Sequence, residues 1–200
     1  MRARQRKTSP RVIGGKVQRK NRWTSIPTYW NRRQAVPVID RREPGRGYRH
    51  LILKRDVFAF IELLPDWPEL ACGLDAVVLA EGSSRCYGWH NDGVIGLCAW
   101  NRELWEETDE RFHREHADVL ERLGVPVERD GDAWILKFTE STARAFLLLH
   151  VFLHELGHHH DRMTTRSRRG TARGEAYAEG YAIEYADRIW DDYIDAFGLA

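Results

Sequence analysis

Residues 143–161 read ARAFLLLHVFLHELGHHHD, and the reading of this stretch decides the fold. From Phe146 to Leu153 every residue but His150 is apolar, so a helix here is apolar nearly all round, the mark of a buried helix. His154-Glu155-Leu156-Gly157-His158 follows, an H-E-x-x-H pattern. At about 100° per residue, His154 and His158 stand one turn apart with about 40° between them. Both imidazoles lean to one side and are placed to share a cation, with Glu155 in reach of a water on it. Neutral imidazole suits zinc, and zinc lowers the pKa of its bound water to about 7. A carboxylate beside that water can take its proton as the oxygen attacks a carbonyl carbon, which makes Glu155 the candidate general base. A polar His-Glu-His group on a buried helix is costly without partners, and a metal is the simplest partner. The bland alternative is a surface helix end rich in His that binds nothing.

Two imidazoles leave a catalytic zinc one protein ligand short. The pattern predicts a last helix from about Gly174 to Phe197, carrying Glu175, Glu179 and Glu184. Its packing stripe is Ala178, Ala182, Tyr185 and Ile189, and Glu175 extends that stripe by one step of three. Ala178 and Ala182 are small enough to let this helix lie tight against the zinc helix. Glu175 is therefore the favoured third ligand. Glu179 points about 100° away from Ala178 and is the alternative.

Two hundred residues suit one domain with room for a real core. The net charge of +1 hides an uneven spread. Residues 1–50 carry 15 Lys/Arg against 2 Asp/Glu, and the other 150 carry 16 against 28. The chain reads as a basic, mobile arm over residues 1–34 on an acidic domain over 35–200. Trp23, Tyr29 and Trp30 lie among the bases, an interleaving that suits nucleic acid or another polyanion. The alternative is an arm lying on the acidic body. Cys72, Cys86 and Cys98 are odd in number and form no C-x-x-C, which points to a reducing, cytoplasmic setting and to cysteines that are simply small residues. No apolar run is long enough for a membrane span, and no apolar secretory segment opens the chain.

Between arm and zinc helix, residues 36–39 predict an extended lead-in, and Asp56 a cap for a short helix that Pro65 ends. Trp67 reads as a packing anchor. Residues 75–80, 85–90 and 94–100 predict strands, the last two joined at Asn91-Asp92-Gly93. Gly88 and Gly96 leave room there for another backbone. Asn101 is expected to cap a helix over 102–123, on which His113 and His116 are surface decoration. A second hairpin is expected around Arg129-Asp130-Gly131-Asp132, and Thr139 or Ser141 as cap of the zinc helix.

His154-Glu155-x-x-His158 with Glu175-x-x-Ala178-x-x-Tyr181-Ala182 resembles the gluzincin pattern of zinc metallopeptidases, and within it the compact bacterial and phage members of the ImmA/IrrE type. The resemblance spans roughly residues 75–185. It implies an α+β, zincin-like fold: a small antiparallel or mixed sheet, with the H-E-x-x-H helix packed on a C-terminal ligand-bearing helix. It implies peptide hydrolysis on Zn2+ held by His154, His158 and Glu175, and an extended peptide substrate on an edge strand, here residues 94–100. It also implies an oxyanion donor, for which His90 and Tyr181 are the candidates. His159 and His160 depart from the pattern, and His150 adds an imidazole one turn before His154. Asp161 is expected to orient His158 or a neighbour. Thr164 stands where a metzincin would place a third His, which excludes that class. Two rival functions remain open on the residues: a non-catalytic, zinc-stabilised regulator that binds nucleic acid through the arm, and a protease dedicated to one regulatory protein.

Overall fold

The computed structural model describes residues 28–84, 86–165 and 172–199, with the backbone of two short strands in the arm, β1 (Val12–Ile13) and β2 (Lys16–Val17). These two pair antiparallel. The mobility expected of the arm and the placement of Trp23 fall outside the described residues. From Thr28 onward the arm lies against the body. Tyr29 Oη donates to Asp40 at 2.5 Å, Arg33 pairs with the buried Asp75 at 2.5 Å, and Trp30 stacks on Trp89.

The central sheet has the order β3 (Val38–Arg41), β5 (Ala76–Ala80), β7 (Val94–Cys98), β6 (Gly88–Asn91). β3, β5 and β7 run parallel, and β6 returns antiparallel to β7. Every residue of β5 and β7 is buried, as befits unbroken apolar runs covered on both faces. The β6–β7 hairpin closes at Asn91 and Val94 through Asp92 and Gly93, at φ 45° and 85°, the left-handed pair that a tight two-residue turn requires. The expectation that residues 94–100 form the edge is thereby corrected. VIGLC has no polar side chain for a solvated side and takes a partner on each, so the edge falls to Gly88–Asn91.

The two free edges differ in their backbone. Cys98 N–H donates to Tyr87 O at 2.8 Å, so antiparallel alternation turns the N–H and C=O of Gly88 and His90 away from β7, into the open. On β3, Val38 and Arg42 donate to β5 and its extension, which turns Ile39 and Arg41 outward. The Arg41 N–H is then bound by the carboxylate of Asp40 at 2.8 Å.

A short ladder joins β4 (Tyr48–Arg49) to β8 (Trp100–Asn101), and a second sheet has the order β10 (Val127–Asp130), β11 (Ala133–Lys137), β9 (Trp105–Thr108). The helix expected over 102–123 is shorter. Trp105–Thr108 pairs with β11, its acids on a strand, and α3 (Glu110–Arg122) begins only after Asp109, whose carboxylate accepts the Phe112 N–H at 2.7 Å. Asp56 likewise is not the cap of α1 (Lys54–Leu63). It sits in the first turn and accepts the N–H of Leu53, the residue before the helix, at 2.8 Å. Trp67 opens α2 (Trp67–Leu70) and packs on Phe152.

Thr139 caps the central helix by accepting from Thr142 N–H at 3.1 Å. The helix runs through α4 (Glu140–Ala145), a π-helical stretch (Phe146–Phe152) and α5 (Leu153–Thr164). All seven π-helical residues are buried, and sequence pattern gave no hint of this wider turn. After the loop, α6 (Glu175–Phe197) packs along α5, burying Ala178, Ala182, Tyr185 and Ile189, the expected stripe. The chain is an α+β protein, and among the described residues no helix is long and apolar enough to cross a membrane.

Candidate metal centre

Two close approaches fix α5. A Cβ on Gly157 would lie 2.9 Å from Ala178 Cα, so the backbones of α5 and α6 touch where their side chains are smallest. A Cβ on Gly88 would meet Val151 Cγ1 at 2.4 Å and Glu155 Cγ at 3.3 Å, so β6 presses on the same helix from the other side. The space foreseen at Gly88 is thus filled by side chains of α5, and that at Gly96 by the indole of Trp89.

His154 and His158 stand with ring centroids 4.8 Å apart. Glu175 is the first residue of α6, where the helix's unpaired amides favour a negative charge. Its Oε2 lies 3.1 Å from His154 Nε2 and 3.4 Å from His158 Nε2. One ligand atom from each of these three residues lies within 4.8 Å of the other two, so the group can hold a metal ion. Behind the group, Glu179 Oε2 lies 3.1 Å from His154 Nδ1. A carboxylate accepts, so Nδ1 carries a hydrogen; Nε2 lies as close to the Glu175 carboxylate and carries the second hydrogen of a protonated ring, a hydrogen that a bound ion would replace. A carboxylate on the far nitrogen is the arrangement by which a metal-binding imidazole is held. Glu179 thus bonds the ring nitrogen of His154 opposite the one that faces Glu175, a contact that spacing along α6 does not show.

Glu155 is 8% exposed, and burial, opposed by His154 and reinforced by Glu175, raises its pKa to about 7. Burial lowers the pKa of His158, with His154 adding to the shift. Burial pulls His154 down too, but its hydrogen bond to Glu179 and the charges of Glu155, Glu179 and Glu175 outweigh it and raise its pKa. His90, His154, Glu155, His158 and Glu175 line an open cleft of about 340 Å³.

The other expected residues fall as follows. His90 lines the cleft, whereas Tyr181 is buried between α5 and α6, stacked on His160 and Tyr185. Asp161 does not bond His158, whose buried Nδ1 has no partner among the described residues. Its carboxylate accepts the N–H of Arg173 at 2.7 Å, which ties α5 to the turn that delivers Glu175. His160 bonds Tyr177 Oη at 2.6 Å and so joins the same two helices, while His159 is fully buried. His150 Nδ1 stands 3.8 Å from Glu179 Oε1. His113 and His116 are not loose decoration: one stacks on Trp134, the other on Phe112 with its edge against His150. The three thiols are free. Comparison with models of protein families, with curated proteins and with solved structures yields no match.

Proposed function

We propose that the chain is a zinc-dependent metallopeptidase of zincin-like fold, acting on a peptide or protein in a reducing, cytoplasmic setting. One observation carries this reading: a group able to hold a metal, a buried carboxylate with a pKa near neutrality and His90 of the edge strand β6 line a single cleft. His154, His158 and Glu175 would hold the zinc, which supplies an acidified water and polarises the scissile carbonyl. Glu155, with a pKa of about 7, is matched to taking a proton from that water and returning it to the leaving amine. Glu179, bonded to Nδ1, leaves Nε2 of His154 to the metal. The outward N–H and C=O groups of Gly88 and His90 can pair with an extended peptide as an added strand. This agrees with the gluzincin resemblance of the H-E-x-x-H and Glu175 motifs.

The test is elemental analysis together with a peptide-library digest. Wild type should carry one zinc and cleave peptides. Glu175→Ala should lose the zinc, and Glu155→Gln should keep it while turnover drops about 100-fold or more. Wild type without stoichiometric zinc, or Glu155→Gln with full turnover, refutes the reading.

A further inference from the structure

Behind the cleft wall, His90 bonds a second imidazole, that of His159. His159 Nε2 lies 3.0 Å from the carbonyl oxygen of Cys72, and His159 Nδ1 lies 3.3 Å from His90 Nε2. A carbonyl only accepts, so His159 Nε2 carries a hydrogen. The His159 ring is 0% exposed and no carboxylate among the described residues is bonded to it, so the ring is neutral and its Nδ1 is an acceptor. The hydrogen between the two rings therefore belongs to His90 Nε2. A neutral His90 is left with a lone pair on Nδ1, and that atom is bonded to no described residue, on a residue that lines the cleft with Glu155 and the candidate metal group.

The geometry points to His90 as a substrate-positioning acceptor: the carbonyl of Cys72, through His159, fixes its tautomer so that Nδ1 receives a main-chain N–H of the bound peptide. This rests on the metallopeptidase reading and gives the cleft a demand that reading lacks, an amide N–H beside the cleaved bond. It also removes His90 as an oxyanion donor, since the ring has no hydrogen left to give there. Nor is His90 a rival base. Burial, reinforced by His159 and Arg162, holds its pKa at about 3, in keeping with a neutral ring that accepts a hydrogen bond. His159 is a positioning residue that acts through His90.

The zinc-loaded protein is tested with peptides of the best-cleaved library sequence in which each N–H flanking the cleaved bond is replaced in turn by ester oxygen. At one position the replacement should cost wild type about 10-fold in kcat/KM, the worth of one hydrogen bond. The cost should shrink below about 2-fold in His90→Phe, which keeps a ring without an acceptor, and return in part in His90→Gln. Ring-nitrogen NMR of wild type should find His90 protonated on Nε2 alone. An ester penalty that is unchanged in His90→Phe, or a hydrogen on His90 Nδ1, overturns the inference and leaves the peptidase reading standing. Failure of wild type to cleave any peptide overturns both.

Discussion

The central sheet has a free strand on each side, and the chain finishes them in opposite ways. β3 carries Asp40 and Arg41, its outward amide is bonded by its own Asp40, and Tyr29 and Lys54 close around that carboxylate. β6 carries no Asp, Glu, Lys or Arg at Gly88, Trp89 or His90, its outward amides are bonded by no described side chain, and His90 lines the cleft with Glu155. An unpaired edge invites another strand, so proteins normally guard it with charge or cover. On the proposed function, the open edge beside the candidate metal group is the one to which a ligand strand would add.

The contrast can be attacked from both sides. The largest effect is expected behind the open edge: Glu179→Ala frees His154 Nδ1 and should weaken zinc binding about 10- to 100-fold, measured by chelator competition. No substitution around β3 should move that affinity. Next comes Gly88→Val. Its added carbons collide with Val151 and Glu155 and should cost about 1–3 kcal/mol in denaturant unfolding, with loss of turnover. A smaller change is expected at the guarded edge. Asp40→Ala releases the Arg41 amide and should cost about 1 kcal/mol, leave turnover intact and promote self-association seen in sedimentation. If turnover falls instead, the two edges are not functionally distinct.

The gentlest probe is pH. Glu155 has its folded pKa raised above the unfolded value, so in the metal-free protein its contribution to stability is full below about 4.5 and is lost as pH rises through about 7. Glu155→Gln should flatten that slope. In the zinc-loaded protein the cation favours the carboxylate, so turnover should rise with pH through a midpoint at or below about 7. A midpoint well above 7 would count against Glu155 as the base.

Much of the metal centre is legible from local periodicity. His154, Glu155 and His158 share one helix, and Glu175 was reachable because Ala178, Ala182, Tyr185 and Ile189 define the face that α6 buries. What needs the relation between elements was not legible. Glu179 binds the rear of His154 only because α5 and α6 cross at one particular angle, which spacing along α6 does not contain. Which strand of the β6–β7 hairpin is interior depends on which of the two β5 pairs with, and the turn signal does not contain that. Trp105–Thr108 reads as part of a helix because acids are common on solvated helix faces, and only pairing with β11 makes it a strand. The π-helical turn before His154 leaves no mark in a run of Leu and Phe that would be buried in either geometry.

The contact between Gly157 and Ala178 leaves the metal centre exposed to damage from a quarter that inspection of its ligands would never flag. One methyl group at position 157 would lever α6 away and carry Glu175 with it, while His154, Glu155 and His158 stayed untouched in the chain. Loss of metal in descendants of this chain would then be inherited through packing, with the recognisable motif still spelled out in full.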